Sequence, residues 1–168
     1  MLYFAYGSNL LEERLKLHVP DARFVAVGRL PGWRRMFHLR SQDGSAKCDL
    51  VRCPDESSPI EGALYECSAK GREALDVWEG LGSMYRLEEV RIESELGEQM
   101  AFFYAGSESF VDPERRPYDW YLASIVAGAR RHRLTEETLA SLSSVPSWND
   151  PDSERSFRNW KLIPANLR

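Results

Sequence analysis

The sequence predicts an α+β fold: a mainly antiparallel, barrel-like mixed sheet with a few flanking helices. Two observations point there. Segments with strand character outnumber those with helical spacing, and the strands come in hairpin-like pairs rather than in βαβ alternation. A third bounds the size. The chain has 168 residues and no internal repeat, low-complexity tract or linker that would split it, which suits a single domain over 1–168 with an irregular tail from about 145. Hydrophobic residues make up 43% and charged residues 29%, enough apolar material at this length for a core that needs no metal or disulfide staple.

Tyr3-Phe4-Ala5-Tyr6 is a short aromatic run that meets Gly7-Ser8-Asn9, the pattern of a strand entering a turn. Leu10, Leu11, Leu15 and Leu17 then recur at helical spacing. Asn9 is placed to cap that helix, Glu12 to close a capping box, and Pro20 to end it. Residues 22–30 and 33–40 read as strands flanking a Pro31-Gly32 turn, with loop over 41–45. Further strands run through 49–52 and 60–67, separated by a loop over 54–59. Ser68 caps a helix over about 69–79 that places Ala74, Leu75 and Trp78 on one face, and Gly80 stops it. Residues 85–95 alternate in polarity, and Gly97 turns the chain into 100–104 to make a hairpin. Pro117 opens a helix over 117–131, and Thr135 caps another that runs to about Ser144. Pro146, Pro151 and Pro164 make the tail irregular, tied down by burial of Trp148 and Trp160.

Composition excludes several classes. The 22 basic and 26 acidic side chains give a net charge of −4, which argues against an electrostatic grip on nucleic acid. No apolar run reaches the ~18 residues of a membrane span, and Met1 to Tyr6 lacks the pattern of a signal peptide. Cys48, Cys53 and Cys67 are an odd number at spacings that match no zinc signature, and His18, His38 and His132 are scattered. The expectation is a soluble cytoplasmic protein, monomer or homodimer, that uses no cofactor or metal.

Two places break local rules. At Tyr6-Gly7-Ser8-Asn9 a strand passes into a helix through a tight turn. Free backbone N–H groups there suit a carboxylate or a developing oxyanion, and Gly7 permits positive φ and close ligand approach. The same residues serve equally as a plain turn and cap. The second is Glu79, a carboxylate at the negative end of a helix dipole in a segment otherwise suited to the core. Dipole and desolvation both raise its pKa, so that it can accept a proton and return it. The alternative is a solvated Glu on a helix that also carries Glu73 and Asp76. Arg130 to Arg133 reads as a solvated helix terminus. Cys48 and Cys53 read as packing residues, and no nucleophile elbow, phosphate loop or HExxH motif is present.

Leu2-Tyr3-Phe4-Ala5-Tyr6-Gly7-Ser8-Asn9-Leu10 resembles the N-terminal signature of the γ-glutamylcyclotransferases. Gly62-Ala63-Leu64-Tyr65, then Leu75-Asp76-Val77-Trp78-Glu79-Gly80 followed by Met84-Tyr85, resemble that family's strand and catalytic segment. Tyr121 to Leu134 resembles its later helix, so the likeness covers roughly 2–134. The resemblance implies that Glu79 is the general base and acid. It implies that Tyr3, Tyr6, Gly7, Ser8, Asn9 and Tyr121 contact a small γ-glutamyl substrate, with the 6–9 turn holding it through backbone N–H groups. Tyr85 is left unassigned, and the tail after Ser144 matches nothing in the family pattern. The implied reaction is an intramolecular cyclisation that releases 5-oxoproline and an amino acid or amine. The alternatives are a γ-glutamylamine or γ-glutamyl-protected intermediate as substrate, or a non-catalytic ligand-binding module on the same fold.

Overall fold

The computed structural model describes Met1–Arg168. Its strands are β1 (Leu2–Ala5), β2 (Arg23–Leu30), β3 (Trp33–Arg40), β4 (Ala46–Arg52), β5 (Ile60–Glu66), β6 (Tyr85–Ser94) and β7 (Gly97–Gly106). Its helices are α1 (Glu12–Leu15), α2 (Ala69–Glu79), α3 (Asp119–Arg131), α4 (Glu136–Ser143) and α5 (Ser153–Leu162). Five strands close a barrel in the order β1-β5-β2-β6-β7. All its pairings are antiparallel except the closing one, where Tyr3 of β1 meets Phe102 of β7 in parallel. The α+β, barrel-like reading therefore holds, with Phe4, Leu64, Ile92 and Phe103 fully buried. Phe4 and Trp33 both meet Phe103 edge-on, at 6.5 and 5.0 Å between centroids, the arrangement that ring quadrupoles favour.

The Pro31-Gly32 turn is present, but β2 and β3 do not pair with each other. Both edges of β2 are already occupied, by β5 and β6, so β3 has no free ladder to join and pairs with β4 in a separate two-stranded sheet. Buried Asp49 of β4 anchors that sheet to the barrel. It accepts from the Gly106 backbone N–H at 2.6 Å and lies 3.0 Å from His38 Nε2.

Helix α2 begins and ends where the sequence places it. Ser68 accepts from the Gly71 N–H, and Gly80 closes the other end in the left-handed region at φ 66°. Leu81 N–H bonds Asp76 C=O at 2.9 Å and Gly80 N–H bonds Val77 C=O at 3.2 Å, the paired bonds of a Schellman cap. The buried face differs from expectation: Leu75 is buried, but Trp78 is 53% exposed and stacks on His18 at 3.6 Å. The inward stripe is Gly71-Leu75-Glu79 at four-residue spacing, which superposes side chains on one helix face. A Cβ at position 80 would meet nothing within 4 Å, so Gly80→Ala carries only the conformational cost of positive φ. It is expected to lower unfolding free energy by about 1 kcal/mol, read as a lower denaturant midpoint. An unchanged midpoint would show that the helix end tolerates another closure.

Three further expectations are corrected. Asn9 caps no helix: Ser8–Leu10 is a 3₁₀ turn, α1 is a single turn starting at Glu12, and the Asn9 side chain goes elsewhere. The run at 130–133 is a solvated terminus only in part: Arg130 and Arg133 are exposed, but the two residues between them are engaged. Arg131 pairs with Glu12 and Glu13, and His132 stacks on Phe24 at 4.5 Å and meets Tyr65 Oη at 2.8 Å. Nor is the tail irregular, since Asp152 caps α5 by accepting from Arg155 N–H. Pro151 and Pro164 lie just outside that helix, where proline does no harm. Trp160 is only half-buried, against Leu11, Ala127 and Ile163, and Trp148 is 37% exposed, held by backbone bonds to Pro117 and Asp119.

Candidate active site

Glu79 is the last residue of α2, four positions beyond buried Leu75, so its side chain follows Leu75 inward. Its Oε1 accepts from Asn9 Nδ2 at 2.9 Å, and the same nitrogen donates to Tyr3 Oη at 3.0 Å. Asn9 thus ties the end of α2 to the first strand through the turn between β1 and α1. Burial pushes the Glu79 carboxyl up to about 7, while the Asn9 hydrogen bond and the Arg14 charge pull it partway back. Within the protein this carboxyl has a hydrogen-bond donor but no paired cation. A group so placed holds and releases a proton near neutrality.

The carboxyl faces a small cavity of about 30 Å³ lined by Tyr3, Tyr6, Gly7, Ser8, Asn9, Cys48, Glu79, Tyr85, Tyr104 and Tyr121. Every residue singled out from the sequence is therefore present, from β1, the turn that follows it, α2 and α3. Tyr121 reaches in from α3, and its oxygen accepts from the Cys48 N–H at 3.1 Å. Tyr6 donates to the Tyr104 carbonyl, and Tyr85 to the Cys48 carbonyl at 3.3 Å. Burial raises the pKa of Tyr3, Tyr6, Tyr85, Tyr104 and Tyr121 alike, so the wall is neutral phenol. Desolvation also pushes the Cys48 thiol up to about 12. It stays protonated and is a poor nucleophile, in line with the packing role read from the sequence.

The 6–9 turn meets one expectation and corrects another. Backbone N–H groups of Gly7, Ser8 and Asn9 donate to no acceptor within the protein. Gly7, however, has φ −109°, so positive φ is not why glycine stands there. A Cβ would come 3.3 Å from Cys48 Cβ and 3.8 Å from Tyr121 Oη, so a side chain there would press on the cavity wall.

Beyond the cavity lies an open cleft of about 630 Å³ that shares Ser8, Glu79, Tyr85 and Tyr121 with it. Its walls add Arg14, Lys47, Trp78, Trp120, Arg155 and Asn159, among others. None of these was singled out in the sequence. Cys48, Tyr85 and Tyr104 were also missed as lining residues, because the strands that deliver them are distant in sequence from the 6–9 turn: Tyr85 and Tyr104 come from barrel strands β6 and β7, and Cys48 from the separate β3–β4 sheet.

With this geometry, a barrel carrying a sequestered carboxyl beside an unpaired N–H turn, comparison with known proteins is decisive about class. The profile described as Gamma-glutamyl cyclotransferase, AIG2-like, matches residues 3–122. The chain belongs to that family, enzymes that cyclise γ-glutamyl compounds. Among individual proteins it is similar to Gamma-glutamylcyclotransferase of Homo sapiens, 29% identical over 154 residues, 86% of this chain and 78% of the human one. The corresponding protein of Bos taurus is 28% identical over 150 residues, 86% of this chain and 78% of its own. A solved structure named Gamma-glutamyl cyclotransferase superposes with a TM-score of 0.82 at 27% identity, over 96% of this chain and 98% of that one.

Proposed function

We propose that the chain converts γ-glutamyl amino acids into 5-oxoproline and the free amino acid, with Glu79 as the single acid–base group. Nucleophile and electrophile lie in one molecule: the substrate's α-amine attacks its own γ-carbonyl carbon. No protein nucleophile is needed, which agrees with the protonated Cys48 thiol. Glu79 accepts a proton from the α-ammonium, and the freed lone pair forms the ring C–N bond. The tetrahedral intermediate then collapses as Glu79 returns the proton to the departing nitrogen and the original amide C–N bond breaks; the ring nitrogen gives up its second proton to the freed amine, which leaves as ammonium. The unpaired N–H groups of residues 7–9 serve the oxyanion or the substrate α-carboxylate. The phenols of Tyr3, Tyr6 and Tyr121 wall the folded chain of the γ-glutamyl group. Confinement supplies the large effective molarity of an intramolecular reaction.

The observation that carries this reading is the Glu79 carboxyl, poised at about 7 on the wall it shares with that turn. The test is release of 5-oxoproline from γ-glutamyl-alanine and from γ-glutamyl-ε-lysine. The expected result is 5-oxoproline and alanine in equal amounts from the first, at the higher kcat/KM. A preference for the second would favour the γ-glutamylamine alternative. No product from either would leave a ligand-binding module.

A further inference from the structure

The cleft outside the cavity is lined by four cations, and they differ in their partners. Lys47 Nζ is 2.6 Å from Asp43 Oδ2, and Arg155 grips Asp150 through two nitrogens, at 2.7 and 2.5 Å. Arg40 is exposed to solvent. Arg14 is the exception. It forms no ion pair, its Nε is buried without any partner, and its one hydrogen bond goes from Nη1 to the neutral Oδ1 of Asn159 at 2.6 Å. Its guanidinium lies 5.4 Å from the Trp120 ring centre. A desolvated cation without an ion-pair partner is costly, and here it lines a cleft whose size suits a ligand.

We infer that Arg14 binds the carboxylate of the leaving group and that Asn159 of α5 positions it, so this enzyme selects γ-glutamyl amino acids over γ-glutamyl amines. The inference rests on the reaction proposed above and adds the residue that reads the departing half. Arg14 lines the outer cleft and not the inner cavity, which assigns it to the part of the substrate beyond the scissile amide. The tail builds this wall twice. Asn159 holds Arg14 directly, with its own Nδ2 fixed on the Arg155 carbonyl at 2.8 Å. Asp150 accepts from Trp120 Nε1 at 2.7 Å as well as from Arg155, which sets the ring against which Arg14 lies. Arg14 lies inside the 3–122 span of the family match, while Asp150 and Asn159, which hold this wall in place, lie outside it.

The test uses γ-glutamyl-alanine and γ-glutamyl-ethylamide, which differ only by the leaving group's carboxylate. The wild type is expected to favour the former by about 10–100-fold in kcat/KM, the scale of one charge-assisted hydrogen bond in a desolvated site. Arg14→Met keeps packing against Trp120 and removes the charge. It should bring the ratio to near unity, chiefly by raising KM for γ-glutamyl-alanine, and Arg14→Lys should restore part of it. Arg14 also lowers the proton affinity of Glu79, but that effect falls on both substrates equally and leaves the ratio untouched. Asn159→Ala on the surface helix should shrink the ratio without abolishing turnover, and it carries the test if Arg14→Met does not fold. A wild-type ratio near unity, or a ratio unchanged in Arg14→Met or in Asn159→Ala, overturns the inference. Absence of 5-oxoproline from both substrates with the wild type overturns instead the reaction on which it rests.

Discussion

Glu79→Gln is expected to lower turnover of γ-glutamyl-alanine by about 10²–10⁴-fold, the scale of a lost general acid–base, while the protein stays folded. The amide keeps the size of the carboxyl and can still accept from Asn9 Nδ2, so the Asn9–Tyr3 link survives. Only proton transfer is removed. KM should change little, since the carboxyl holds the proton rather than the substrate's bulk. Stability gives an independent readout that the variant is intact. Burial raises the folded-state pKa of this acid to about 7, so the wild type loses stability as pH climbs from the ordinary glutamate range to about 7 and then levels off. Gln has no such dependence. The variant should match the wild type near pH 4 and exceed it above pH 7 by about 3 kcal/mol at most. Equal turnover in the two proteins would remove Glu79 from the chemistry.

The second large effect is expected at Gly7. Gly7→Val puts a Cβ 3.3 Å from Cys48 Cβ, and its two methyl groups must then occupy a cavity of only about 30 Å³. The wall cannot yield easily there, because Cys48 also binds Tyr121 and Tyr85 through its backbone. kcat/KM should fall by about 100-fold or more, the penalty for displacing a substrate by about 1 Å. Circular dichroism checks that the variant is folded before its Michaelis parameters are read. Gly7→Ala should fall between the two. Unchanged Michaelis parameters in folded Gly7→Val would reduce the turn to a connection.

What the sequence reveals and hides has physical reasons. The boundaries of α2 were legible because Ser68 and Gly80 act locally, through a cap and a left-handed residue. The inward aim of Glu79 also has a local signal, the four-residue step from Leu75, although the expected companion Trp78 faces solvent. Asn9 was misread as a helix cap because caps and buried side-chain bridges use the same residue type; only the approach of Glu79, 70 positions away, distinguishes them. Pairing of β3 with β4 rather than β2 depends on which strand edges are already taken, a property of the closed barrel. The role of the tail was hidden for the same reason. Arg14 and Asn159 are 145 residues apart, and nothing near either one announces the other.

The most direct measurement is the pH dependence of kcat/KM for γ-glutamyl-alanine, in the wild type and in the residual activity of Glu79→Gln. The free enzyme must present Glu79 as carboxylate to take the first proton, so wild-type kcat/KM should rise with pH through a midpoint of about 7 and that limb should vanish in the variant. A limb of the same midpoint surviving in Glu79→Gln, or wild-type activity that is flat down to pH ~5, would contradict the assignment of the proton to Glu79.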